Sequence, residues 1–169
     1  QKELEKTYRV SPLRAQLALD CAHHSVAAKS ALRPEEVSIY VGIPFCPSRC
    51  AYCSFISAAV DKCLPLVEPF TRGLCREIEA LGRVLKDTGR SVRTVYMGGG
   101  TPTTLSHQQL EAILSATEEH LPLAGCTEFT VEAGRPDTVT PEKLQVLSRH
   151  GVGRISVNPQ SMDDAVLAR

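Results

Sequence analysis

The chain has 169 residues, 43% of them apolar, enough for one domain with a real core. Its 19 Lys and Arg offset 19 Asp and Glu, and the zero net charge argues against a general nucleic-acid binder, which would be basic. No apolar run approaches the length of a membrane span, and the charged start, Gln1 to Lys6, lacks a signal-peptide core. Seven cysteines without such a signal fit the reducing cytoplasm.

Ser11-Pro12 predicts a helix start, with Ser as N-cap and Pro at the first helical position. Leu13, Leu17, Cys21 and Leu32 form a mixed apolar pattern that stops before Arg33-Pro34, so residues 1–34 read as an N-terminal helical segment. His23 and His24 are adjacent and cannot share a helix face, which makes them surface residues rather than a metal pair. From Val37 to Ile43 the chain alternates. Val37, Ile39, Val41 and Ile43 point one way; Ser38, Tyr40 and Gly42 point the other. Pro44 and Pro47 end this strand and stiffen the loop after it.

That loop carries Cys46-Pro47-Ser48-Arg49-Cys50-Ala51-Tyr52-Cys53. Three cysteines at C-x-x-x-C-x-x-C spacing can converge on one inorganic cluster, and a [4Fe–4S] cube takes one ligand per iron. Three ligands from one loop leave one iron open to a substrate or cofactor. Half of a zinc site is the competing reading. It lacks a second ligand pair, and Cys63 stands alone in a different context, so the spacing favours iron–sulfur. An odd cysteine count argues against a disulfide framework.

A helix is predicted from about Leu66 to Lys86, where Leu66, Phe70, Leu74, Ile78, Leu81 and Leu85 make one stripe, with Cys75 near it and Gly89 as its cap. A second strand, Val92 to Met97, runs into Gly98-Gly99-Gly100-Thr101-Pro102-Thr103. The glycines suit a ligand's approach to the backbone, although a plain strand-to-helix turn also uses them, and the Gly-Lys-Ser/Thr ending of a phosphate loop is missing. Ser106 and Gln109 predict a capping box for a helix through Leu110, Ile113, Leu114 and Leu121. The third strand, Cys126 to Glu132, sets Phe129 and Val131 against Thr130 and Glu132. A carboxylate at a strand's C-terminal end reads either as a hydrogen-bond acceptor for a ligand, such as a ribose diol, or as a solvated rim residue; the position favours the ligand. Thr140-Pro141 opens a helix through Leu144 and Leu147 to His150-Gly151. A fourth strand spans Arg154 to Asn158 with Ile155 and Val157 outward, and Ser161 begins a fourth helix.

The repeat is strand, loop, helix, four times, which builds a parallel α/β sheet. The cysteine loop, the glycine loop, Glu132 and Gln160 all fall at strand C-terminal ends, the layout of a (β/α) barrel's active face. Residues 35–169 therefore read as the N-terminal part of a TIM-like (β/α) barrel. The chain starts without Met and stops at Arg169 inside a helical pattern, so we expect a fragment of a longer protein. We expect the barrel to be incomplete, with its edge at Arg154–Asn158 lacking a neighbour.

These marks resemble the radical S-adenosylmethionine (radical SAM) superfamily: the C-x-x-x-C-x-aromatic-C triad, Gly-Gly-Gly-Thr-Pro after strand two, and the late acidic residue. More narrowly, Tyr40-Val41-Gly42-Ile43-Pro44-Phe45-Cys46, the glycine loop through Thr103, and Arg154-Ile155-Ser156-Val157-Asn158-Pro159-Gln160 resemble the oxygen-independent coproporphyrinogen III dehydrogenases. Pro44 to Phe55 and Glu132-Ala133-Gly134-Arg135-Pro136-Asp137 resemble its HemZ-type branch. The resemblance covers Val37 to Arg169 and none of the first helix.

It implies that Cys46, Cys50 and Cys53 ligate a [4Fe–4S] cluster whose open iron binds the amino and carboxylate groups of S-adenosyl-L-methionine. It implies that Tyr40, Gly99 and Glu132 contact that molecule, and that Tyr52, Gly100, Thr101 and Gln160 surround a second one. It further implies an electron donor such as flavodoxin or ferredoxin, and a 5′-deoxyadenosyl radical that takes hydrogen from a porphyrinogen propionate, which then loses carbon dioxide. One position departs. The decarboxylating enzymes resemble C-x-x-x-C-x-x-C-x-C, and here Phe55 stands at the last cysteine's place, as it does in related proteins that handle heme without making it. A heme-binding or heme-delivery role is therefore the second expectation. The residues that meet the porphyrinogen are expected beyond Arg169.

Overall fold

The structure is a computed structural model, and it describes residues 1–55 and 58–168. The chain divides into two compact units, Gln1–Glu36 and Val37–Arg169. The first holds α1 (Lys2–Lys6) and α2 (Pro12–Ser30). Ser11 takes the N-cap place with Pro12 behind it, although its hydroxyl makes no capping bond. His23 and His24 are exposed.

The second unit contains a four-stranded sheet in the spatial order β1 (Glu36–Ile43), β4 (Ser91–Gly99), β5 (Glu128–Glu132) and β6 (Arg154–Ser156). β4 and β5 run parallel with Met97 opposite Val131, and β5 and β6 run parallel with Glu132 opposite Ser156. Helices α3 (Val60–Asp87), α4 (His107–His120) and α5 (Pro141–Arg149) connect the strands, and α3 packs on α4 and α4 on α5. Each helix returns the chain to the start of the next parallel strand, so every strand delivers its C-terminal end to the same edge. This is the α/β fold of a partial TIM-like barrel. Its core comprises Val41 and Ile43 of β1, Val95 and Met97 of β4, Val131 of β5, and Ile78, Leu110, Ile113, Leu114 and Leu147 of the helices.

Several local expectations shift. A two-stranded parallel pair not foreseen from the sequence, β2 (Phe45–Cys46) with β3 (Ala58–Ala59), brackets the cysteine loop. Helix α3 begins six residues before Leu66 and runs through Pro65 and Pro69. An interior proline costs about 3 kcal/mol, yet Val67, Ile78 and Leu85 are buried with Phe70, Leu74 and Leu81 partly covered. Full burial is worth about 1.5–3 kcal/mol per side chain, so packing outweighs the two breaks. Leu66 itself faces out, and Val67 takes the inward place. On α5 the inward residues are Val146 and Leu147, while Leu144 is partly exposed. β6 ends at Ser156, two residues short of Asn158. The last helix, α6 (Asp164–Leu167), is capped by the Asp163 carboxylate, which accepts from the amides of Ala165 and Val166, so it starts after Ser161.

Candidate functional site

The sheet's C-terminal edge gathers the loops that the sequence singled out. β1 stops at Ile43, and β2 ends on Cys46, so the first cysteine is held by strand pairing while Cys50 and Cys53 come later on the loop. The glycine loop lies against this segment. The Gly100 amide donates to the Ile43 carbonyl at 2.7 Å, and the Thr101 amide donates to the Phe45 carbonyl at 2.7 Å. A Cβ on Gly100 would stand 2.5 Å from the Phe45 carbonyl oxygen and 3.0 Å from that of Ile43, both backbone atoms that cannot yield. Gly99 has φ +107°, a conformation closed to most L-residues. The buried Thr101 donates its hydroxyl to the Cys46 sulfur at 3.5 Å.

Two cavities open at this edge. One, of about 370 Å³, is lined by Cys46, Cys50, Cys53, Tyr52, Gly99, Gly100, Thr101, Glu132, Arg135 and Gln160, among others. The other, of about 420 Å³, is lined by Tyr40, Ile43, Pro44, Phe70 and the shared wall of Phe55, Gly99, Gly100 and Glu132. All ten residues singled out from the sequence thus line one cavity or the other. Tyr40 lines the second alone; Tyr52, Thr101, Gln160 and the three cysteines line the first alone. Glu132 borders both, at the end of β5. Cys63 instead packs against the core from α3, as do Cys75 and, ahead of β5, Cys126.

The donor set suits an iron–sulfur cluster. Three thiols face one cavity beside a loop stripped of side chains. Among the described residues, no three His, Cys, Asp or Glu side chains gather tightly enough for a single metal ion. A cube asks for one thiolate per iron, and the three cysteines of one loop offer three of its four ligands.

Two residues of the site were not assigned a role from the sequence. Tyr96, on β4, donates its phenol to Glu132 Oε1 at 2.7 Å and stacks on Tyr40, ring centroids 6.1 Å apart and 11° from parallel. The hydrogen bond to Glu132, then burial and the carboxylate's charge, push the Tyr96 phenol up to about 12. Gly98 makes this possible, because a Cβ there would lie 2.9 Å from both the Glu132 carboxyl and the Tyr96 ring. The available signal was the strand's alternation, which puts Tyr96 and Gly98 on one face of β4.

The second is Arg135. It leaves the loop after β5 and reaches Ser48 and Cys50 in the cysteine loop, 87 and 85 residues away in sequence. Only the folded chain reveals that reach. A third tie holds the loops after β4 and β5 together. Lys143 of α5 donates to the Thr103 carbonyl at 2.5 Å and the Thr138 carbonyl at 2.9 Å, and the Thr103 and Thr138 hydroxyls meet at 2.6 Å.

The family model of the radical SAM superfamily matches residues 40–169. The oxygen-independent coproporphyrinogen-III oxidase-like protein HemZ of Bacillus subtilis (strain 168) is 40% identical over 168 residues, covering 98% of this chain and 34% of the relative. Heme chaperone HemW of Escherichia coli (strain K12) is 35% identical over 133 residues, covering 79% of this chain and 34% of the relative. Among solved structures, coproporphyrinogen III oxidase (HemN) from Escherichia coli, described as a radical SAM enzyme, superposes with a TM-score of 0.65 at 26% identity. It covers 82% of this chain and 31% of that one. The chain spans about a third of the length of the curated relatives it matches.

Proposed function

The chain belongs to the radical SAM superfamily, and from that premise we propose that Cys46, Cys50 and Cys53 hold a [4Fe–4S] cluster beside a site for S-adenosyl-L-methionine. The observation that carries this reading is the single cavity lined by all three cysteines, the glycine loop and Glu132. Bound together, the cluster and S-adenosyl-L-methionine supply one-electron reductive cleavage of a carbon–sulfur bond and hydrogen abstraction from a substrate. The chain's own residues bind and orient. Gly99 and Gly100 let the Ile43–Phe45 backbone pack against the glycine loop while both line the cavity. Glu132 offers an acceptor for ligand hydroxyl or amino groups, and Tyr96 fixes which way its carboxylate points. Tyr40 and Tyr52 give aromatic walls, and Phe55 and Phe70 give one wall apolar surface.

The substrate we propose is a porphyrinogen, in a coproporphyrinogen dehydrogenase-like oxidative decarboxylation, with a flavodoxin- or ferredoxin-type donor in the cytoplasm. The likeness to HemZ and HemN supports this. One observation favours a second reading, heme binding or delivery without decarboxylation. Phe55 borders both cavities at the place of the decarboxylating enzymes' additional cysteine, and HemW, a heme chaperone, is among the relatives. Anaerobic reconstitution tests the shared core. Wild type should take up iron and sulfide, and each single Cys→Ala change at 46, 50 or 53 should abolish the thiolate-to-iron absorption. Glu132→Gln should keep the cluster and weaken S-adenosyl-L-methionine binding by roughly 1.5–3 kcal/mol, the worth of a charged hydrogen bond. Full cluster content in any Cys variant, or unchanged affinity in Glu132→Gln by calorimetry, refutes the corresponding assignment. We expect residues 1–169 alone to be inactive, so coproporphyrinogen III with cofactor and reductant is given to the full-length protein to separate the two readings: only the enzyme yields protoporphyrinogen.

A further inference from the structure

The segment between β5 and α5 touches the cysteine loop through one side chain. Arg135 Nη1 lies 3.1 Å from Ser48 Oγ, 3.4 Å from the Ser48 carbonyl and 3.9 Å from Cys50 Sγ. Its other edge is fixed. Nε and Nη2 donate to the two carboxylate oxygens of Asp137 at 3.3 and 3.2 Å, so the guanidinium plane is held from behind. The Arg135 side chain is only 27% exposed, and it shares the cavity with all three cysteines. Such a fork is a preorganised donor with a permanent positive charge.

We propose that Arg135 is a positioning residue for the cluster site: it clamps the cysteine loop through Ser48 and raises the reduction potential of the cluster through Cys50. The inference rests on the cluster assignment made above. Its physical basis is the charge change on reduction. A cluster gains one negative charge when it takes an electron. A cation and an N–H···S hydrogen bond beside one of its thiolates stabilise that reduced state more than the oxidised one. The effect persists because Arg135 is partly shielded, whereas a fully exposed charge at the same distance would be screened. Asp137 offsets part of the charge, but it sits on the far side of the fork and is 58% exposed. Hydrogen bonds to both the carbonyl and the hydroxyl of Ser48 also fix the backbone midway between Cys46 and Cys50, where loop motion would otherwise spread the thiols.

The test is a redox titration of the anaerobically reconstituted protein, read by the electron paramagnetic resonance of the reduced cluster. Arg135→Gln should load with iron and sulfide and titrate at a more negative midpoint than wild type. Arg135→Lys keeps the charge but not the fork, and should titrate between the two. A loaded Arg135→Gln with the wild-type midpoint overturns the proposal, as does Arg135→Lys titrating together with Arg135→Gln, which removes charge as the cause. Should Arg135→Gln hold no cluster, Arg135→Lys decides: a midpoint below wild type supports the proposal and an unchanged one overturns it. A wild-type protein that takes up no iron or sulfide overturns the cluster assignment itself and this inference with it. A loaded wild type with an indifferent Arg135 removes the inference alone.

Discussion

Glu132 borders both cavities, and its neighbours explain how a strand-end carboxylate stays aimed. Tyr96 donates to it at 2.7 Å, and Gly98 leaves the room that any side chain would take. The same contact makes a pH signature. The phenol is held protonated to about 12, above its ordinary 10.0, first by the bond to Glu132. A raised pKa means the folded state keeps its proton longer than the unfolded one. The stabilisation is therefore complete below about pH 10 and lost as pH rises from there toward 12. We predict that an ultraviolet phenolate titration of the folded protein, which has 4 tyrosines, shows a step near pH 12 from Tyr96, beside that of Tyr52, whose phenol is also raised, by burial and then by Cys50. The Tyr96 step should vanish in Tyr96→Phe and move down in Glu132→Gln. A step near pH 12 that survives Tyr96→Phe removes the assignment.

Helix contacts are set by equally local chemistry. Gly82 of α3 faces the end of α4, where a Cβ would run into the His120 backbone carbonyl and lie 2.9 Å from its carbon. Alanine is the better helix former by about 1 kcal/mol, but backbone cannot give way, and overpacking costs about 1–3 kcal/mol. Gly82→Ala should therefore lower stability by up to about 2 kcal/mol in denaturant unfolding; a gain would contradict the close approach of α3 to the His120 carbonyl.

The α4–α5 contact is tied by His150, whose ring nitrogens lie 2.8 Å from Glu118 and 3.0 Å from Glu111, with Arg149 also on Glu111. Burial works against charging this imidazole, but the hydrogen bonds to Glu111 and Glu118 outweigh it and raise the pKa. The bond from His150, ahead of Arg149, lowers that of Glu111. The histidine's contribution is complete below its ordinary 6.5 and fades as pH climbs past the raised value. The glutamate's is complete above its ordinary 4.5 and fades as pH falls through the lowered one. The tie is therefore strongest between about pH 4.5 and 6.5. His150→Gln should destabilise most in that window, and a stability gap that widens above pH 8 would contradict it.

For the second unit as a whole, the sheet has β1 and β6 at its two edges. β6 is three residues long, and Ile155 and Val157 beside it are 41% and 54% exposed. Exposed apolar residues along a strand edge with free amides and carbonyls are a template for pairing. We predict that residues 1–169 expressed alone associate with rising concentration in sedimentation velocity. The double change Ile155→Lys, Val157→Lys should suppress this without altering the far-ultraviolet circular dichroism. Concentration-independent monomers of the unmodified chain would refute it. Among the described residues no helix is long and apolar enough to cross a membrane.

Period and punctuation were enough for the outline. Alternation in Val37–Ile43, the stripe from Phe70 to Leu85, and the Ser106–Gln109 box each declare an element through interactions between near neighbours, and these elements formed. The parallel repeat then forces the C-terminal ends of the strands together, which is why the cysteine loop, glycine loop, Glu132 and Gln160 group from the sequence alone. Other features depend on contacts between distant residues. The pairing of Phe45–Cys46 with Ala58–Ala59 leaves no period in two-residue strands. The start of α3 ahead of two prolines is decided by core burial, and the exchange of Leu66 for Val67 by a helix phase that only packing sets. Tyr96 and Arg135 have the same cause. A side chain's partner 36 or 85 residues away is written in no local pattern, so the bond to Glu132 and the reach to Cys50 existed only once the sheet had brought the loops together.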